Sequence, residues 1–184
     1  IFVVGSGAIG CEHLKNLVMC GMGTEGKIHV TDMDSIEQSN LTRQFLFSKN
    51  DVSQMKAEVA VKEVKNLNED FAKGFIKNGV KEGQNGGHEE VVDEEVFSEV
   101  FFQDLDIVAN ALDNVEARVY VDNRCLISKK YLVDAGTSGT KGNVQTIVPF
   151  FSEPYGDSVD PPESSIPICT IKNFPFALEH TIEW

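Results

Sequence analysis

A chain of 184 residues is long enough for one domain with a sizeable core. Its formal charge of −13 argues against a nucleic-acid partner, because holding a phosphate backbone takes a basic surface. No apolar run approaches the ~20 residues that span a bilayer, so no membrane association is expected.

Residues 1–4 (Ile1-Phe2-Val3-Val4) read as a buried strand. The chain opens inside that strand without an initiator Met and stops at Trp184 inside a helical pattern, so both ends read as cut from something larger. The strand leads into Gly5-Ser6-Gly7-Ala8-Ile9-Gly10, then a helix to about Cys20 with Leu14, Leu17 and Val18 on one face. Residues 21–26 read as a loop and 27–31 as the second strand. Ser53 is placed to cap a helix starting near Gln54, with Ala57, Ala60, Val61, Val64 and Leu67 on its apolar face. A short strand is expected at 71–76, followed by a Gly-, Asn- and Glu-rich surface insertion at 78–90. Residues 106–111 form another buried strand that runs out at Asp113-Asn114. A helix carrying Val115, Val119 and Leu126 follows, then strands near 131–133 and 143–149.

Strands alternating with helices predict an α/β fold, a doubly wound and mostly parallel sheet with helices on both faces. The expected organisation is a domain over 1–150, a linker over 151–165 containing Pro154, Gly156, Pro161 and Pro162, and a further segment over 166–184. Pro175 suits the first turn of a helix in that last segment.

The glycine loop has the GxGxxG spacing in a strand–loop–helix context. Gly5, Gly7 and Gly10 would let the backbone approach a phosphate at the helix N-terminus, where Ala8 lies. Asp32 falls where an acidic residue meets ribose hydroxyls. Asp34 reads equally as a turn carboxylate or a magnesium ligand. Arg43 and Lys56 are cations of the kind that meet charge on a triphosphate, Arg as a planar fork of donors and Lys as a point charge. Surface Arg and Lys are usually just solvated, so neither carries the reading alone. Asp113 and Asn114 end a strand at the carboxyl edge of the sheet, where ligands of open α/β sheets bind. Asp113 is the first candidate for magnesium and Asp34 the second, though Asp113 is equally placed to cap the next helix.

Four cysteines, Cys11, Cys20, Cys125 and Cys169, form no CxxC pair. That argues against structural zinc and a disulfide framework and suits a reducing, intracellular compartment. Cys11, Cys20 and Cys125 read as small buried hydrophobes. Cys169 follows the linker rather than a periodic core pattern. To act as a nucleophile it needs its thiol pKa lowered by a helix terminus or a cation.

Gly5-Ser6-Gly7-Ala8-Ile9-Gly10, Thr31-Asp32-Met33-Asp34, Ser39-Asn40-Leu41-Thr42-Arg43-Gln44-Phe45 and Ala109-Asn110-Ala111-Leu112-Asp113-Asn114 together resemble the adenylating family of ubiquitin-activating enzymes and bacterial sulfur-carrier activators. Pro167-Ile168-Cys169-Thr170, with Lys172-Asn173-Phe174-Pro175 and Glu179-His180-Thr181, resembles the catalytic-cysteine motif of the ubiquitin branch. The resemblance implies a Rossmann-like adenylation domain that uses ATP and magnesium. It places Asp32 on the ribose, Arg43 and Lys56 on the phosphates, and Asp34 and Asp113 on the metal. Asn40 and Gln44 become secondary contacts, Ala8 sits in the loop, Val80 lies near the adenine, and Cys169 carries a thioester. It also implies ubiquitin, a ubiquitin-conjugating enzyme and an inactive adenylation half as partners. The isolated fragment is then expected to adenylate poorly.

Two other readings compete. An NAD-dependent oxidoreductase explains the glycine loop and Asp32 but leaves Asn40, Arg43, Lys56 and Cys169 without a role. A non-catalytic protein-binding module on the same fold would have no need of the phosphate-site residues.

Overall fold

The computed structural model describes residues 1–23, 26–68, 75–77, 97–138 and 141–157. Strands β1 (Phe2–Val4), β2 (Ile28–Thr31), β3 (Phe75–Lys77), β4 (Ile107–Asn110), β5 (Tyr131–Ser138) and β6 (Lys141–Ile147) form one six-stranded sheet in the order β3-β2-β1-β4-β5-β6. The first five strands are parallel, and β6 returns antiparallel along β5. Helices α1 (Ala8–Met19), α2 (Lys56–Lys65), α3 (Glu99–Gln103) and α4 (Val115–Ser128), with short 3-10 turns at Gln38–Thr42, Lys49–Asp51 and Tyr155–Asp157, complete the described elements. The expected doubly wound sheet is what the chain forms.

The two-residue alternation of a strand divides the core at β1. Val3 faces a cluster with Leu14 and Val18 of α1 and with Ala57, Ala60 and Val64 of α2. Phe2 and Val4 face the opposite cluster, with Phe97, Phe102, Val108, Val121 and Leu132. A strand buried on both faces has no polar positions, which is why Phe2-Val3-Val4 reads as an unbroken apolar run. Phe2 also centres an aromatic group, with Phe97 and Phe101 each 5.0 Å away between ring centroids.

Several local expectations are corrected. Ser53 does not cap α2: it turns left-handed at φ 73°, and the N-cap is Met55, with no side-chain cap bond. The backbone does the work instead. Ser53 donates to the Ile36 carbonyl and Lys56 to the Asp34 carbonyl, so the entry to α2 is stitched to the chain leaving β2. Leu67 lies past the end of α2 and is exposed. Cys20 caps the end of α1 and is exposed rather than buried.

In α4 the buried positions are Arg118, Val121, Asp122 and Cys125, and Val115 points to solvent. Two charges on the inward face hid that stripe from a reading based on apolar spacing. The expected linker is anchored at its start, because Tyr155 is only 2 % exposed and packs in the core beside α4.

Candidate nucleotide site

The chain runs outward from β1 through β2 to β3, then crosses back to β4. The ends of β1 and β4 therefore flank the point where the winding reverses, and ligands of open α/β sheets bind there. Gly5 leaves β1 at φ +94°, and a Cβ there would sit 2.6 Å from the Ala111 carbonyl oxygen. A Cβ on Gly10 would run into the Gly5 carbonyl. These two glycines are required by the domain's own packing. Gly7 is not, since the nearest atom to its would-be Cβ is Gln44 Nε2 at 3.8 Å. Gly7 is also the N-cap of α1 and brings no side-chain cap. The Ala8 end of α1 thus keeps its dipole and first-turn N–H groups uncovered by side chain, the arrangement that receives an anion.

Asp32 closes the other wall. Its Oδ2 accepts from the Ser6 N–H at 2.6 Å and from Ser6 Oγ at 3.0 Å, while Oδ1 accepts from the Asp34 N–H at 2.9 Å. The carboxylate fixes the glycine loop against the end of β2, and one aspartate thereby shapes both. Lys56, the first residue of α2, is buried and donates from Nζ to Asp34 Oδ2 at 2.6 Å. Asp34, a magnesium candidate by sequence, therefore holds an ammonium partner, and its side chain remains 58 % exposed.

The turn Gln38–Thr42 carries the next group. Asn40 is buried and accepts the Glu37 N–H at 2.9 Å, which makes it a builder of the turn. Arg43 is exposed and donates to the Ser39 carbonyl at 3.2 Å. Gln44 is buried beside Gly7, and its Oε1 has no hydrogen-bond partner among the described residues. An unsatisfied buried amide oxygen is costly, and a ligand group there would relieve it.

On the β4 side, Asp113 is exposed and Asn114 is the actual N-cap of α4, accepting the Ala117 N–H at 2.7 Å. That settles the capping question in favour of Asn114 and leaves Asp113 available. Val80 and Cys169 lie outside the described residues. Of the described cysteines, burial pushes the Cys11 thiol up to about 11 and the Cys125 thiol up to about 12, so neither is a nucleophile at neutral pH.

Sequence reasoning missed one buried polar group. Asp134 of β5 takes Asn110 Nδ2 at 3.1 Å on one oxygen and Arg118 Nη1 at 2.8 Å on the other. Arg118 also donates to the Leu112 carbonyl at 2.6 Å and the Ala135 carbonyl at 3.2 Å. The available signal was the spacing 118, 121, 122, 125, which is helical and inward even though two of its members are charged.

An open helix terminus, a buried ammonium and an exposed guanidinium fit a polyphosphate, while the spare acceptor of Gln44 calls for a donor such as a hydroxyl. No group of three or more His, Cys, Asp or Glu side chains gathers to hold a metal among the described residues. One or two carboxylates completed by phosphate oxygens, the habit of magnesium, remain compatible with Asp113 and Asp34.

A doubly wound sheet with such an edge defines a domain built to handle a nucleotide's phosphates. The chain belongs to the ThiF family, whose model matches residues 1–181. It is 52% identical over 185 aligned residues to human ubiquitin-like modifier-activating enzyme 1, covering 100% of this chain and 17% of that protein. It is 46% identical to ubiquitin-activating enzyme E1 1 of Arabidopsis thaliana, covering 100% of this chain and 16% of that protein. Among solved structures it is similar to E. coli MccB, with a TM-score of 0.67 and 25% identity over 87% of this chain and 44% of that chain. The chain thus spans about a sixth of the length of these curated relatives.

Proposed function

We propose that this chain is the nucleotide-binding part of a ubiquitin-activating enzyme, and that the whole protein adenylates the C-terminal carboxylate of ubiquitin with ATP and then takes it up as a thioester on Cys169. A carboxylate resists nucleophiles until one of its oxygens joins a good leaving group. Attack of that carboxylate on the α-phosphorus expels pyrophosphate and leaves an acyl-adenylate. Attack by the thiolate of Cys169 on the acyl carbon then releases AMP.

In this reading the Ala8 end of α1, Lys56 and Arg43 meet the phosphate charge, and Asp32 keeps the glycine loop seated for the ribose. Asp113 would hold magnesium, which neutralises phosphate charge when bound, with Asp34 the second candidate and engaged first with Lys56. Gln44 Oε1 is an acceptor, so it would take a hydroxyl or N–H donor of the nucleotide rather than a phosphate oxygen. Val80 near the adenine, the domain limits at 150 and 165, a second adenylation half, a ubiquitin-conjugating partner and a cytoplasmic and nuclear location belong to the same proposal. The names of relatives aligned over the whole chain support it.

The observation that carries it is the buried Lys56 paired with Asp34 at the end of β2, together with the uncovered α1 terminus at Gly7 beside the buried Gln44; a nicotinamide enzyme would use the helix terminus but leaves Lys56 and Gln44 without a role. ATP–pyrophosphate exchange by the full-length enzyme tests it. Exchange should require ubiquitin. Exchange driven only by another ubiquitin-like protein would reassign the substrate, and nicotinamide binding without ATP binding would overturn the reading.

A further inference from the structure

The Arg118 group has a wiring that stability alone does not explain. A buried ion pair gains little over apolar side chains of similar size, because both charges must be stripped of water. Here the sequence has also made room for it: a Cβ on Gly136 would lie 2.7 Å from Arg118 Nη1 and 2.8 Å from Nη2. The guanidinium is then used in two directions. On one side it donates to the carbonyl of Leu112, the residue before Asp113, at 2.6 Å. On the other it lies 5.8 Å from the centre of the Tyr155 ring. The same segment is held again one turn along α4, where Asp122 Oδ2 accepts the Gly156 N–H at 3.2 Å.

We propose that Arg118, braced by Asp134 and Asn110, is a positioning residue that couples the Asp113 loop at the nucleotide edge to the segment around Tyr155 that leads toward Cys169. Arg118 touches no reacting atom in this scheme. It fixes the backbone that presents Asp113 and, through the Tyr155 ring, the starting point of the chain that must deliver the thiol. A planar fork suits the task, because one group satisfies a carboxylate and two carbonyls at fixed angles. A lysine would keep the charge and lose the fork. The proposal rests on the adenylation reading for its kinetic consequences but not for its physical ones.

The test uses the full-length enzyme with Tyr155→Leu, Tyr155→Phe, Arg118→Lys and Arg118→Met, and reads amide hydrogen exchange beside kinetics. Tyr155→Leu keeps an apolar side chain in the core and removes the ring with its hydroxyl, and Tyr155→Phe, which keeps the ring, should leave the coupling in place. Tyr155→Leu should speed exchange in the peptide over 111–114 about tenfold, the size expected for weakening one hydrogen bond from a charged donor. It should also raise the KM for MgATP in pyrophosphate exchange, with kcat within about twofold, and slow thioester formation. Arg118→Met should show all three effects more strongly, and Arg118→Lys should restore part of the loss.

Unchanged exchange at 111–114 in Tyr155→Leu would overturn the coupling, as would a uniform rise across all peptides in every variant, the mark of a merely structural pair. A wild-type enzyme that shows no ubiquitin-dependent activity would sink the functional reading, while the hydrogen-exchange result would still decide this proposal.

Discussion

Gly7 and Gly10 stand three residues apart in the same motif and answer to different demands. Gly10 faces the Gly5 carbonyl at a distance no Cβ can share, whereas a Cβ on Gly7 would make only an ordinary contact with Gln44 Nε2. Gly10→Ala should therefore destabilise the domain by roughly 2 kcal/mol or more, and Gly7→Ala by less than about 1 kcal/mol. Nucleotide affinity should show the reverse emphasis, with Gly7→Ala retaining the fold but losing ATP binding. Urea denaturation and nucleotide titration of both variants check the pair, and an unstable Gly7→Ala would refute the distinction.

Asp34 allows an equally sharp test, because its ion pair with Lys56 sets two roles against each other. If Asp34 acts chiefly on Lys56, Asp34→Asn frees the ammonium and should tighten binding of metal-free AMP. If it acts chiefly on magnesium, MgATP should weaken while metal-free AMP is unaffected. We expect the first outcome, measured by calorimetry. The motif residues Asp32, Asn40, Arg43, Gln44 and Lys56 were readable because each is a particular chemical type at a particular spacing. Arg118 and Asp134 were not, because their partner atoms are brought together only by the pairing of β4 with β5.

Helices and strands show where sequence reasoning reaches and where it stops. The periodicity of α1 was readable, since its apolar residues alone mark the buried face. The start of α2 was not, because a serine before a helical pattern suggests a cap. Here the turn is instead closed by backbone bonds to residues 34 and 36, which no local pattern announces. One pH dependence belongs to these packed elements. His13 on α1 and His29 in β2 are both held below their ordinary value of 6.5, mainly by burial. The unfolded chain then takes up protons before the folded one as the pH falls, so stability is lost on acidification from about 6.5 down toward the folded values. Urea midpoints should drop as the pH falls through and below the ordinary histidine value, and His13→Gln combined with His29→Gln should flatten that slope. A double variant with an unaltered slope would assign the effect to other groups.

For the molecule as a whole, doubly wound architecture could be inferred from alternating elements, but the order of strands could not, because lateral neighbours are chosen by packing across long stretches of chain. The pairing of β1 with β4 sets Phe2 beside Val108 and Val4 beside Asn110. The first strand therefore waits for a neighbour more than a hundred residues downstream, while β5 and β6 meet through a short connection. Closing a long loop carries an entropic penalty before any contact rewards it, and non-local parallel pairing is slow for that reason. During synthesis β1 emerges before β2 and can pair with it on one side, but its β4 edge stays open until β4 has left the ribosome. The glycine loop is clamped from that same side, through Gly5 against Ala111. The nucleotide edge thus cannot mature before β4 has emerged, and nascent chains halted before β4 should be recognisable by their failure to gain stability from ATP.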